Sequence, residues 1–157
     1  MPYQCFSSPV GPLSVFEEED AIVAIEWGRA PDPRKTPLLA EARRQLDAYF
    51  DGALQSFDLA LAPRGTAHQK AVWNAMLRIP YGEVQTYGEI ATEIGSAPRA
   101  VGGACGANPI PIIIPCHRVV GGGGRLTGYS GFGGLDTKRA LLRLEDAPIP
   151  SLEGDRR

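Results

Sequence analysis

Prolines at positions 109, 111 and 115 bracket the apolar run Ile112-Ile113-Ile114 and deliver the chain onto Cys116-His117-Arg118. Proline donates no backbone hydrogen bond and disfavours a helical conformation at the residue before it. A helix over 99–107 therefore ends at Asn108-Pro109, and the three isoleucines read as a short buried strand with Cys116 just past its end. Adjacent side chains on a strand point to opposite faces. Cys116 and His117 then cannot pair directly unless the backbone bends, or a bridging water carries the proton between them. Thiolate, not thiol, is the nucleophile, and neighbouring His and Arg lower the pKa that controls its formation. Cysteine most often serves as a small buried hydrophobe, but the His-Arg pair favours a reactive Cys116.

The helix that ends at Asn108 is unusual in composition. It reads Arg-Ala-Val-Gly-Gly-Ala-Cys-Gly-Ala over 99–107, and each of its glycines costs roughly 0.8–1 kcal/mol against alanine. Two readings stand. Either this helix packs closely on its own core, or its smooth face lets the backbone approach another molecule. Such a face could not read base edges in a major groove, but would suit a narrow groove, with Arg99 as the one long side chain able to enter a base stack.

Capping boxes mark two earlier helices. Thr66-x-x-Gln69 opens one that carries Val72, Trp73, Met76 and Leu77, and Thr86-x-x-Glu89 opens a shorter one through Ile90 and Ile94 to Gly95. This second helix and the segment from Arg99 to Ala107, joined by a tight turn at Gly95 with Pro98 near the start of the latter, make a helix-turn-helix candidate, although many helical hairpins bind nothing. Gly121 to Gly124 reads as a turn, and the glycine-rich stretch after Leu126 could expose backbone N–H groups to a ligand. A last helix from about Asp136 to Glu145 places Lys138 and Glu145 two turns apart on one face. A carboxylate there could hold His117 in one tautomer, with Lys138 favouring the thiolate.

Residues 1–62 have a different texture. Leu13 to Phe16 and Ile22 to Trp27 flank the polar run Glu17-Glu18-Glu19-Asp20 as in a hairpin. Thr36-Pro37 then opens a helix with Leu38, Leu39, Ala42, Leu46, Tyr49 and Phe50 at helical spacing, stopped by Gly52. Ala62-Pro63-Arg64-Gly65 is the best linker in the chain, and a domain boundary belongs there. The expected fold is α/β (α+β), with a small N-terminal domain of hairpin strands plus helix over 1–62. A mainly helical C-terminal domain with a helix-turn-helix follows over 63–157, with a flexible tail after about 147.

Charge follows the same division. The net charge is −2, but residues 1–62 hold five Lys/Arg against ten Asp/Glu, whereas residues 63–145 hold nine against five. The second region would suit a polyanionic partner on one side, or reflects ordinary sampling of surface charge. No apolar stretch is long enough to span a membrane, and no secretory signal is seen. Three cysteines without regular spacing argue against a disulfide framework and for a reduced, cytoplasmic protein.

Pro115-Cys116-His117-Arg118-Val119 resembles the active-site motif of the O6-alkylguanine-DNA alkyltransferases, the methylated-DNA–protein-cysteine methyltransferases. The likeness extends over Ile79-Pro80-Tyr81-Gly82-Glu83-Val84, Thr86-Tyr87-Gly88-Glu89-Ile90-Ala91, Arg99-Ala100-Val101-Gly102-Gly103-Ala104, Asn108-Pro109-Ile110-Pro111 and Leu126-Thr127-Gly128-Tyr129-Ser130-Gly131, ending near Leu141-Leu142-x-x-Glu145. It implies a winged-helix-like DNA-binding domain and DNA repair by direct reversal. An alkyl group would pass irreversibly, one per protein, from O6-alkylguanine (or O4-alkylthymine) in double-stranded DNA to Cys116.

The same resemblance implies residue roles. The glycine-rich helix, with Ala100, Gly102 and Gly103, would lie in the minor groove, and Arg99 would fill the gap left by the flipped base. Tyr87 would bond the base at N3, the Ser130 N–H would reach O6, and the Val119 carbonyl would accept from the exocyclic amine. Pro111 and Tyr129 would line the alkyl side, and Arg118 would join the DNA contacts. Glu145 would orient His117, which activates Cys116 through a water, while Asn108 braces the turn beneath the thiol and Lys138 favours the thiolate. No cofactor, no membrane partner and a monomer are expected. Some members carry an N-terminal zinc site, but Cys5 has no second Cys or His within residues 1–62, so no metal is expected here. His68 and Cys105 stand where members often have Phe and Met, and His68 is expected to alter only local packing. Related lesion-binding proteins lack the cysteine, typically having tryptophan there, and Cys-His hydrolases usually draw their histidine from far away in sequence.

Overall fold

The computed structural model describes residues 2–30, 34–124 and 134–148. The chain divides into two compact units, residues 1–64 and 65–157.

The first unit is a three-stranded antiparallel sheet in the order β1 (Tyr3–Phe6), β2 (Leu13–Glu18), β3 (Ala21–Trp27). Glu19 and Asp20 both take positive φ, 51° and 63°, which is the requirement of a tight two-residue hairpin turn. The register slips between Phe16 and Glu17, a bulge that increases the local twist. β1 carries too few residues to show a periodic signal, and the sequence reading assigned no strand there. Helix α1 (Pro37–Phe50) starts where Thr36 accepts from the Leu39 N–H at 3.1 Å. Leu39, Ala42, Leu46 and Tyr49 on its inner face join Phe6, Leu13, Val15, Ile22 and Ile25 as the core of this unit. Buried Gln45 fastens the returning chain, accepting from the Asp58 N–H at 2.8 Å and donating to its carbonyl at 3.0 Å.

In the second unit, both expected capping boxes are present, at Thr66/Gln69 on α2 (Ala67–Leu77) and at Thr86/Glu89 on α3 (Tyr87–Ile94). Gly65 precedes α2 because the Trp73 indole lies against it: a Cβ there would fall 2.5 Å from the ring. Gly95 ends α3 in the left-handed conformation, φ 71°, which glycine adopts without a Cβ penalty. Helix α4 (Pro98–Gly106) follows, tied to α2 by a 2.8 Å hydrogen bond from the buried Trp73 indole N–H to the Ala104 carbonyl. His68 does more than pack, since its Nε2 lies 2.8 Å from Ser96 Oγ in the turn between α3 and α4. β4 (Gln85–Thr86) pairs in parallel with β5 (Val119–Val120), and α5 (Leu135–Leu144) closes the described part, with Glu145 as its C-cap.

Candidate active site

The run Ile112-Ile113-Ile114 is buried, as expected, but it is a turn rather than a strand. Ile112 and Ile113 form the turn, bridged by Pro111 and Ile114, with Ile112 at φ 76°. A β-branched residue in that region stores strain of order 1–3 kcal/mol and persists only where its surroundings over-determine it. Asn108 supplies that constraint: its amide donates to the Ile114 carbonyl and its oxygen accepts from the Ile110 N–H, both at 2.9 Å. The Ile114 N–H donates to the Ile110 carbonyl at 2.9 Å. The prolines explain the failure of the strand reading, because Pro111 and Pro115 cannot donate to a ladder.

The chain then tightens into one 3-10 turn, Cys116–Arg118, so the bend anticipated between thiol and imidazole exists. Cys116 is 8% exposed and its N–H donates to Ile114 at 2.8 Å. Burial pushes its thiol pKa up, opposed by a hydrogen bond with Asn108 and the nearby Lys138 ammonium. Here the sequence expectation needs correcting. The groups set against burial at Cys116 are Asn108 and Lys138 rather than the neighbouring His117 and Arg118. His117 reaches Glu145, as expected, and Arg118 does so too, which was not expected.

His117 is fully buried and its Nε2 lies 2.7 Å from Glu145 Oε2. Burial pulls its pKa down, and the adjacent carboxylate only partly restores it. A neutral ring facing a carboxylate carries its proton on Nε2, which leaves Nδ1 as an acceptor. Nδ1 is buried with no hydrogen-bond partner among the described residues. Arg118, expected among the DNA contacts, is buried and committed inward. Its Nε donates to Glu145 Oε1 at 2.9 Å, Nη2 to Oε2 at 3.0 Å, and Nη1 to the Ile79 carbonyl at 2.7 Å. Glu145 Oε1 also faces the Gly82 N–H at 3.4 Å. These contacts of Ile79 and Gly82 were not anticipated, although both lie in the Ile79-Pro80-Tyr81-Gly82 segment of the motif series.

Lys138 is also wholly internal. Its Nζ donates to the Val119 carbonyl at 2.6 Å and sits 5.9 Å from the centre of the Tyr87 ring. Burial lowers its pKa to about 8, while Cys116 and Cys105 act to raise it. The Val119 carbonyl therefore has one lone pair engaged from within the protein. Cys105, on α4, lies 3.6 Å from Met76 Sδ, and burial pushes its thiol up to about 12. Since Arg118 and Lys138 are buried, the positive excess of residues 63–145 is partly internal rather than a surface patch.

On α4, Val101, Ala104 and Cys105 face inward, while Arg99, Ala100, Gly103 and Gly106 are exposed. A Cβ added at Gly103 or Gly106 would meet nothing within 4 Å, and one at Gly102 would only touch the Tyr87 ring at 4.0 Å. Packing against the described residues requires glycine at neither Gly103 nor Gly106. Of the remaining expected site residues, Pro111 is buried and bridges to Ile114, whereas Tyr129 and Ser130 fall outside the described residues, as does the tail from residue 149 on.

The second unit thus combines a helix-turn-helix whose α4 has a smooth outward face with a buried cluster of Cys116, His117 and Glu145. The comparisons with known proteins give the chain a family. Models described as the 6-O-methylguanine DNA methyltransferase DNA binding domain and ribonuclease-like domain match residues 67–147 and 1–63. A methylated-DNA–protein-cysteine methyltransferase of Methanosarcina acetivorans is 49% identical, over 92% of this chain and 98% of its own. The OGT of Mycobacterium tuberculosis, solved in complex with DNA, superposes with a TM-score of 0.84 at 46% identity, covering 94% of this chain and 96% of that one. An O6-methylguanine DNA methyltransferase from Methanococcus jannaschii gives 0.68 at 27% identity, covering 98% and 99%. The chain belongs to the 6-O-methylguanine DNA methyltransferase family. No helix among the described residues is long and apolar enough to cross a membrane.

Proposed function

We propose that this chain carries out its family's reaction with Cys116 as the acceptor. The activity is that of a methylated-DNA–protein-cysteine methyltransferase, DNA repair by direct reversal. The observation that carries the assignment is the buried His117–Glu145 pair next to the buried Cys116, with Nδ1 of His117 unpartnered among the described residues. The thiol proton passes to Nδ1 through a water, and the imidazolium so formed is stabilised by Glu145. The thiolate attacks the alkyl carbon of O6-alkylguanine (or O4-alkylthymine) in line. A C–S bond forms, the C–O6 bond breaks, and its electron pair leaves with the base. Proton donation from Tyr87 toward N3 offsets the charge on the departing guanine.

The product is a thioether, which offers no carbonyl to water and no disulfide to exchange. One molecule repairs one lesion. The substrate is double-stranded DNA, approached from the minor groove by the exposed face of α4. Arg99 fills the stack when the base is flipped out, a step costing a few kcal/mol. Acceptor, base and orienting carboxylate all come from residues 65–157, so a monomer suffices, acting in the cytoplasm. Intact-protein and peptide mass spectrometry after mixing with duplex DNA holding one O6-methylguanine tests this. The expected result is a single methyl on Cys116, saturating at one per protein. An unmodified protein that still holds the DNA would make it a lesion-binding protein, and turnover of an ester or amide would make it a hydrolase.

A further inference from the structure

Arg118 is misplaced for a DNA contact and better placed for something else. All three kinds of nitrogen in its guanidinium are used inside the protein, on both oxygens of Glu145 and on the Ile79 carbonyl. Its planar face lies 5.8 Å from the centre of the Tyr81 ring, and the Tyr81 hydroxyl in turn donates to the Leu144 carbonyl at 3.3 Å. A fork of this geometry fixes the plane of a carboxylate in a way that a point charge does not.

We propose that Arg118 is a positioning residue for alkyl transfer: forked on Glu145, it holds the carboxylate so that Oε2 takes Nε2 of His117 and Nδ1 is kept as the acceptor for the Cys116 proton. The inference rests on the alkyl-transfer reading above. Its logic is electrostatic as well as geometric. The charged and titratable groups around His117 are Glu145 and Lys138 from α5, Arg118 beside it and the neighbouring Cys116, while Tyr81 and Asp146 lie around Glu145 and Arg118. Without Arg118, Glu145 faces the imidazole as a lone buried anion and favours the imidazolium. A ring protonated on both nitrogens cannot take the thiol proton.

The test measures single-turnover methyl transfer from duplex O6-methylguanine DNA against pH, together with imidazole nitrogen NMR. The chain has two histidines, so a His68→Gln background leaves His117 as the sole imidazole. In Arg118→Met the acidic limb of the rate profile should move up by about one pH unit, a roughly tenfold loss at a pH on that limb. Arg118→Lys, which restores the charge without the fork, should return the limb most of the way but show mixed tautomers and a slower rate. A folded Arg118→Met with an unshifted limb and a pure Nε2–H tautomer overturns the proposal. If Arg118→Met does not fold, Arg118→Lys decides, and a pure Nε2–H tautomer there overturns it. A wild-type protein that gains no methyl on Cys116 defeats the alkyl-transfer reading instead, and the NMR arm still reports on Arg118.

Discussion

Two buried thiols lie in the second unit, and their surroundings separate them. Cys105 has burial raising its pKa to about 12 and a methionine sulfur beside it. Cys116 has the Asn108 side chain and the Lys138 ammonium opposing the same penalty. Asn108 therefore serves twice, bracing the strained turn and easing thiolate formation. Asn108→Ala strips partners from the Ile114 carbonyl and the Ile110 N–H, at about 1–3 kcal/mol for each buried group left unpaired. Denaturant unfolding should show a loss of about 2–4 kcal/mol, and the pH at which Cys116 becomes reactive should rise. Wild-type stability in that variant would remove Asn108 as the brace. At this scale the sequence singled out Asn108, His117, Lys138 and Glu145, which the structure gathers around the thiol segment, but not the inward course of Arg118. Adjacency suggested that His117 and Arg118 act on Cys116, and the 3-10 turn sends both to Glu145. Nor could three isoleucines announce a left-handed Ile112, since β-branched residues ordinarily avoid that conformation.

Among the elements, those with local signals were legible. Two capping boxes, Thr36-Pro37 and Gly95 mark helix ends that the structure shows at the same positions. β1 was not legible, because a strand of four residues is defined by its pairing with β2 rather than by its own pattern. For α4, sequence alone left inward packing and outward approach open, and the empty space around Gly103 and Gly106 favours approach. This gives a prediction in which stability and function move oppositely. Gly103→Leu should raise helix stability by about 0.5–1 kcal/mol, since a better helix former replaces glycine at an exposed position. The same variant should bind O6-methylguanine duplex at least about tenfold more weakly, because its side chain holds the backbone off the groove. Thermal unfolding and DNA titration read the two effects separately. Unchanged DNA affinity would sink the role given to this face.

For the whole molecule, the internal Lys138 ties stability to pH. Its pKa is about 8 in the fold against 10.5 ordinarily, so between these values the unfolded chain binds the extra proton and stability rises with pH. The effect amounts to about 3 kcal/mol at most. Cys105 acts with the opposite sign: its pKa of about 12 against 9.0 makes the unfolded chain release its proton first, and stability falls above about pH 9. Urea unfolding from pH 7.5 to 10 should therefore show a rise from about pH 8 to 9 that Lys138→Met abolishes, levelling off above about pH 9, where Cys105→Ala lets the rise continue. A Lys138→Met profile parallel to wild type would refute the linkage. Glu145, finally, stands 28 residues beyond His117, and chains leave the ribosome N-terminus first. The thiol and the imidazole are thus made before the carboxylate that bonds the imidazole. On the mechanism proposed above, a protein able to react only once would become competent when the C-cap of its last described helix reaches His117.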